Sequence, residues 1–177
     1  MGERALRVSV VTPAYNYAQF LETTMQSVLT QGPDVEYIVI DDGSTDGSVD
    51  IIKRYADRLA YWETGPNRGQ TPAINRGWQR ATGDIVAYLN ADDRYTPGAV
   101  AAAVEAFRSD PEIGLVYGSC WFNSSGEESE RLYVPPDFGL KRLLLGNYIP
   151  QPTVFVRKSV LERIGLLDPS LRYCLDY

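Results

Sequence analysis

The chain of 177 residues contains no histidine. That absence removes Ser-His-Asp and Cys-His triads, HExxH metal sites and histidine proton shuttles in one step. Acid–base chemistry must then come from carboxylates, Lys, Tyr or Cys. Any metal site must be rich in oxygen, which favours Mg2+ or Mn2+ over Zn2+. Cysteine is nearly as scarce. Cys120 and Cys174 are the two present, with no CxxC spacing, so a disulfide framework or zinc site is disfavoured and two ordinary thiols are expected. Long apolar runs are missing. No stretch reaches the roughly 18 residues a membrane-crossing helix needs, and MGERALRVSVVTP lacks the apolar core of a signal peptide. The expectation is a soluble, cytoplasmic chain, with peripheral contact at the inner face of a membrane left open. Lys/Arg-rich runs are also missing, and the net charge is -6. An acidic chain of this kind is a poor partner for nucleic-acid backbone and for anionic lipid. No GxGxxG follows a strand and no GxxxxGK[ST] occurs, which disfavours dinucleotide oxidoreductases and P-loop enzymes.

What is present is enough for one domain with a real core: 44% hydrophobic residues, 23% charged, and twelve tyrosines. Strand-like and helix-like segments alternate along the first two thirds. RVSVVT (7–12) reads as a buried strand ended by Pro13, and residues 18–29 as an amphipathic helix. VEYIVI (35–40) is a second strand, apolar enough to be covered on both faces. A helix follows from about Ser48, with Thr45 or Asp46 as its cap. A short strand is expected at 59–62. A helix should open on Thr71-Pro72 and reach about Arg80. DIVAYL (84–89) is another strand, and Thr96-Pro97 opens an alanine-rich helix to about Arg108. Beyond Ile113 the pattern changes to a strand at 113–122, a hairpin return at 131–134, a short helix at 137–145, a strand at 153–156 and a brief helix at 159–164. Strands alternating with helices of 10 to 14 residues mark an α/β domain with a largely parallel sheet flanked by helices, here followed by a smaller α+β part.

In such sheets ligands sit outside the carboxyl ends of the strands. Two acidic clusters fall there. Asp41-Asp42 follows the second strand directly, where a carboxylate can accept from a base ring N–H or a ribose hydroxyl; a capping turn is the plainer reading of that pair alone. Its continuation to Gly47 imitates a calcium loop, but the position requiring glutamate is Lys53 and a strand precedes it, which excludes an EF-hand. Asn90-Ala91-Asp92-Asp93 follows the later strand. Adjacent carboxylates repel one another unless a cation or strong donors compensate. A divalent ion bridging to a diphosphate would do so.

The segments VSVVTPAYNYAQFLETTMQSVLTQ, YIVIDDGSTDGSVDIIKRY, AINRGWQRATGDIVAYLNADDRYTPGAV and QPTVFVRKSVLERIGLLDPSLRYCLDY resemble, in that order and spacing, the family-two glycosyltransferases, which have the GT-A type nucleotide-diphospho-sugar transferase fold. The resemblance spans nearly the whole chain from Val8. It implies a Rossmann-like sandwich as a single domain over 1–177, with a nucleotide-sugar-binding half at 1–110 and the start of an acceptor-side half at 111–177. Pro13, Tyr15 and Asn16 would lie at the nucleotide base, with Asp42 or its neighbour Asp41 reading the base edge. Asn67, Gly69, Ala73 and Asn75 match the loop and helix beside the nucleotide. Asn90 to Asp93 matches the DxD-type metal motif, which commonly begins with Asp where this chain has Asn90. One of Asp92 and Asp93 would ligate Mn2+ or Mg2+, Asp93 being preferred, and the other the ribose or sugar. Asp176 matches the catalytic base, and Gln151-Pro152 the approach to the acceptor.

The implied reaction is a metal-dependent, inverting transfer from a nucleotide-diphospho-sugar, a UDP-sugar foremost, to a saccharide or lipid-linked acceptor in polysaccharide or glycoconjugate synthesis. Family members usually continue past the point where this chain stops. The resemblance therefore also implies truncation on the acceptor side, with donor binding and weak or absent transfer. Nucleotidyl transfer is an alternative, disfavoured because 13–17 carries no basic residue. A noncatalytic nucleotide-sugar-binding domain is another. Arg68, Arg76 and Arg80 are either diphosphate contacts or, by their helical spacing, a solvated face. Trp62, Trp78 and Trp121 read as core before they read as a sugar platform.

Overall fold

A computed structural model describes residues 5–123 and 130–171. The elements run β1 (Val8–Ala14), α1 (Ala18–Leu29), β2 (Val35–Asp41), α2 (Ser48–Arg54), β3 (Tyr61–Thr64), α3 (Gln70–Arg80), β4 (Ile85–Tyr88), α4 (Ala99–Ser109), β5 (Leu115–Val116), β6 (Cys120–Phe122), β7 (Arg131–Tyr133), α5 (Leu140–Leu145), β8 (Phe155–Arg157) and α6 (Lys158–Ile164). Short 3-10 turns occupy Ala56–Arg58 and Gln151–Thr153.

Six strands form one sheet in the order β3-β2-β1-β4-β8-β5. The first four are mutually parallel, while β8 runs antiparallel to both β4 and β5. A separate hairpin pairs β6 with β7. The fold is therefore α/β with a mixed, mostly parallel sheet.

The strand sequences dictate two covered faces. Side chains alternate with period two. Val8 and Val10 of β1, Tyr37 and Val39 of β2, and Ile85 and Ala87 of β4 face one core with Leu21, Met25, Ile52, Val104 and Phe107. Their neighbours Val11, Ile38, Ile40, Val86 and Tyr88 face the second core with Ala73, Ile74 and Trp78 of α3. Both alternating sets are apolar, which is why these strands read as continuous apolar runs. The helix α3 lies close against β1. A β-carbon at Gly77 would overlap the Val11 side chain, so glycine is needed there for packing.

Several expected boundaries move. Pro13 lies inside β1, because β4 pairs with that strand only as far as Val11 and the missing N–H costs no bond on that side. The strand expected at 59–62 is β3, two residues later, since the 3-10 turn delays it and Leu59 turns in against the core. Gly69 and Gly98, both at positive φ, cap α3 and α4 where Thr71-Pro72 and Thr96-Pro97 had been expected to do so. Pro72 sits in the first turn of α3, where an N–H has no partner in the helix anyway. Asp46 does accept the Ser48 N–H at 3.0 Å, although Gly47 holds the cap position. The run 113–122 is not one strand: it divides between β5 and β6 in different sheets, with the Gly118 N–H turned to Thr153 Oγ1 at 3.1 Å. Among the described residues no helix is long and apolar enough to cross a membrane.

Candidate active site

The ends of three neighbouring strands converge. The central one, β1, runs out through Pro13 into Tyr15-Asn16; β2 on one side delivers Asp41-Asp42, and β4 on the other delivers Asn90 to Asp93. Sheet order alone thus brings the two acidic clusters to opposite sides of one loop.

That loop is stitched to the next. Asn16 sits at φ +57°, a left-handed conformation that asparagine tolerates better than most side chains. Its N–H donates to Ser44 Oγ at 2.9 Å, and its Oδ1 accepts the Thr45 N–H at 2.8 Å. The Ala18 N–H reaches Asp46 Oδ2 at 2.8 Å. Burial raises the Asp46 pKa, but the Ser48 hydroxyl and the Ala18 and Ser48 N–H groups donating to its carboxylate bring it below the usual value. Tyr15 is left exposed at 46%.

The first acidic pair divides its work. Asp41 is fully buried. Its Oδ2 accepts from the Gly43 N–H at 3.0 Å, the Ser44 N–H at 3.1 Å and the Thr64 hydroxyl at 2.6 Å, and its Oδ1 takes the Ser44 hydroxyl. Both oxygens are spent on folding the loop, leaving little with which to read a ligand. Asp42 is also buried, at 3%. Its Oδ1 takes Arg76 Nη2 at 2.5 Å, and its Oδ2 accepts the Arg68 N–H at 3.1 Å.

Arg76 is no member of a solvated face. It is a quarter exposed, and its Nε also binds Glu63 Oε1 at 2.7 Å. Glu63 in turn accepts the Tyr61 hydroxyl at 2.7 Å. That hydroxyl and Arg76 lower the Glu63 pKa, while the two carboxylates raise that of Arg76 against burial. One guanidinium nitrogen, Nη1, is buried without a partner among the described residues. The Arg80 guanidinium stacks over the Tyr61 ring at 4.5 Å. Helical spacing gave α3 its face but not what that face meets: β3 supplies Glu63 and Tyr61, a contact no local pattern encodes.

In the second cluster Asp92 is exposed and Asp93 half-buried. Burial pushes the Asp93 pKa up and the neighbouring Asp92 charge pushes it further, opposed by an N–H of Asn90 on Asp93 Oδ2 at 3.3 Å. Thr24 of α1 anchors the main chain of the turn, its hydroxyl lying 2.9 Å from the Ala91 carbonyl and 2.7 Å from that of Asp93. Asn90 is also tied to Gln70 and Gln151. Thr24, Gln70 and Gln151 escape sequence reasoning as supports of this turn, except that Gln151 falls in a segment singled out for another reason.

The remaining candidates scatter. Asn67 Oδ1 caps the Gly69 N–H at 2.9 Å, making the turn that starts α3, and both residues are exposed. Ala73 is core. Asn75 turns away to clamp the main chain of Leu167, donating to its carbonyl at 2.8 Å and accepting its N–H at 3.2 Å. Trp78 is core, with its indole N–H on the Ala87 carbonyl at 3.3 Å, whereas Trp121 is 53% exposed. Asp176 and Cys174 lie outside the described residues.

No group of three or more Asp, Glu, Cys or His side chains gathers among the described residues. Asp92 and Asp93 make no ion pair with Lys or Arg there. Two carboxylates with no cation beside them among the described residues are a donor set that suits a hard cation completing its shell with phosphate and water.

The model of the family described as "Glycosyl transferase family 2" matches residues 9–165. The chain belongs to that family. Within family 2, it is 31% identical over 177 residues to an uncharacterized glycosyltransferase of Nostoc sp., the match covering 93% of this chain and 55% of the relative. It is 41% identical over 92 residues to a putative teichuronic acid biosynthesis glycosyltransferase of Bacillus subtilis, covering 50% of this chain and 36% of that one. Among solved structures it resembles a mannosyltransferase from Pyrobaculum calidifontis in complex with GDP-Man and Mn2+, with TM-score 0.72, 25% identity, and coverage of 95% of this chain and 49% of that one. The chain thus spans roughly half the length of the relatives it matches along its whole course.

Proposed function

We propose that the chain carries the donor site of a metal-dependent, inverting glycosyltransferase, which moves a sugar from a nucleoside-diphosphate sugar to an acceptor hydroxyl. The observation that carries this reading is the pair Asp92 and Asp93. Among the described residues it meets no cation, the burial of Asp93 and the charge of Asp92 beside it favour an added positive charge, and it stands across β1 from Asp42. The complex of the Pyrobaculum relative with GDP-Man and Mn2+ supports it.

Asp93, with Asp92 beside it, would hold Mn2+ or Mg2+. When bound, the ion supplies positive charge to the departing diphosphate. Pro13, Tyr15 and Asn16 form the side on which the base would rest, and Asp42, oriented by Arg76 and the Arg68 N–H, would accept from a base N–H. Asp41 shapes that loop from beneath. Asn67 and Gly69 border the same space, and Asp92 is free to turn to the ribose or sugar. Asp176 would take the proton of the acceptor hydroxyl as its oxygen bonds to the anomeric carbon. The bond from that carbon to the diphosphate oxygen breaks on the opposite face, and the nucleoside diphosphate leaves with the electron pair. A saccharide or lipid-linked acceptor for polysaccharide synthesis agrees with the teichuronic acid relative.

The test is a thermal-shift panel of UDP, GDP, CMP and dTDP, each with and without Mn2+. A ligand at a hundred times its Kd adds about 2.7 kcal/mol. One diphosphate should stabilise the chain, only with Mn2+, and lose the effect in Asp93→Ala. Its identity reports whether the donor is a UDP-sugar. No shift with any of them would overturn the reading.

A further inference from the structure

Side chains from three separate parts of the chain meet at Asn90. Gln151 Nε2 lies 2.9 Å from the Tyr88 carbonyl oxygen, Asn90 Nδ2 lies 3.2 Å from Gln151 Oε1 and 3.3 Å from Asp93 Oδ2, and Gln70 Nε2 lies 2.7 Å from Asn90 Oδ1. The direction of this chain is not a matter of choice. A main-chain carbonyl only accepts, so the Gln151 atom facing Tyr88 is its amide nitrogen and the oxygen must face Asn90. Asn90 therefore presents its NH2 group toward Gln151 and Asp93, and its oxygen toward Gln70. Both hydrogens and the oxygen of one amide are used. Asp93 Oδ2 receives one of those hydrogens, while Oδ1 accepts no hydrogen bond among the described residues.

We propose that Gln151 is a positioning residue of the Asp93 site, acting through Asn90. Resting on the Tyr88 carbonyl, it fixes which way the Asn90 amide points, and that amide fixes the rotamer of the Asp93 carboxylate with one oxygen held and one left for a cation. Thr24 holds the main chain of the turn but cannot set this side chain. The relay explains why an amide serves at position 90. A carboxylate there would turn acceptors toward Gln151 Oε1 and Asp93 Oδ2 and supply no hydrogen to either. It also gives the segment after α5 a function on the donor side, because Gln151 begins the 3-10 turn that leads into β8.

This inference rests on the metal reading above, and one experiment separates the two. Mn2+ is titrated into the chain in excess UDP and, in a second series, excess GDP, with the free ion followed by its paramagnetic resonance signal. The melting temperature in EDTA is read in parallel. The unchanged chain should bind Mn2+ in at least one series. Gln151→Leu should weaken that binding roughly 10- to 100-fold, the usual effect of losing an outer partner of a metal ligand. Asn90→Asp should weaken it too, despite the added charge. The double variant Gln151→Leu with Asn90→Ala should bind within about twofold of Asn90→Ala alone, because both remove the same contact. Should Gln151→Leu fail to fold, Gln151→Glu carries the same expectation, since it cannot donate to Tyr88. A residue that merely supported the fold would lower the EDTA melting temperature and leave Mn2+ affinity unchanged; that result, or additive losses in the double variant, overturns the relay. Failure of the unchanged chain to bind Mn2+ in either series overturns the metal reading, and this inference with it.

Discussion

At the scale of single residues, the two acidic clusters contrast in how their charge is met. Asp41 is saturated by donors from within the fold and Asp42 is paired with Arg76, so their charge is compensated before any ligand arrives, while each Asp42 oxygen keeps a lone pair for one more donor. Asp93 is half-buried beside Asp92 with one amide N–H to offset it. Its pKa is raised, so folding favours the protonated form. The sign follows: the folded state holds this proton more tightly than the unfolded chain, so stability is highest below the unfolded pKa and falls as pH rises through the folded one. At neutral pH the ionised Asp93 therefore opposes folding in the metal-free chain. Asp93→Asn should raise the metal-free melting temperature, by roughly 2–4 °C for a gain of 1 kcal/mol in a domain of this length. The gain should vanish as pH drops below the carboxylate range. The same variant should lose its response to Mn2+. Site residues that cost stability in exchange for binding behave this way, and a fall in melting temperature on removing the charge would instead make Asp93 a structural carboxylate.

Among the elements, α3 carries the greatest density of consequences. Its apolar side packs Ala73, Ile74 and Trp78 on the sheet. Gly77 lets the helix approach β1, and Arg76 reaches over to Asp42 and Glu63. Approach and reach are coupled, since Gly77 follows Arg76. Gly77→Ala should cost about 1–3 kcal/mol through overpacking against Val11. Val11→Ala alone should cost about as much through the space it leaves. The two together should cost less than the sum of the singles, because each relieves the other; urea unfolding of the four proteins measures this, and simple additivity would sink the contact. The Thr71-Pro72 signal that placed α3 to within two residues was legible because start signals of helices are local. So were β1, β2 and β4, whose runs of Val and Ile admit few other readings. The division of 113–122 was not legible, because the choice between one strand and two rests on a hydrogen bond from Gly118 to Thr153, thirty-five positions away. The same limit hid the site's supports. Positions 41, 42, 92 and 93 stood out by charge and by following strands, whereas Glu63, Thr24 and Gln70 gain their meaning only from the neighbours that the sheet order gives them.

For the molecule as a whole, the main question is what fastens the part after β4 to the sheet. β8 inserts antiparallel between β4 and β5 and brings three ties with it. Arg157 donates to the carbonyls of Ile113 and Phe107 at 2.7 and 2.8 Å, Lys158 Nζ donates to the Ala81 carbonyl at 2.8 Å, and Gln151 meets Tyr88. Beyond α6 the segment returns to α3, where Asn75 takes both main-chain groups of Leu167 across ninety-two positions. An asparagine in the loop-and-helix motif at 67–75 resembled a nucleotide contact, yet both ends of its amide are engaged in this clamp. The two roles separate by experiment. Asn75→Asp replaces the donor facing the Leu167 carbonyl with a second acceptor, so the clamp is lost while size is kept. As a clamp, Asn75 should protect the amides around 165–171; in the variant they should exchange with deuterium faster by a factor of about ten or more, the value of one lost bond of roughly 1.4 kcal/mol. Diphosphate affinity should stay within about twofold, since energies at sites without shared partners are close to additive. Were Asn75 a nucleotide contact, affinity would fall and exchange at 165–171 would stay as it was.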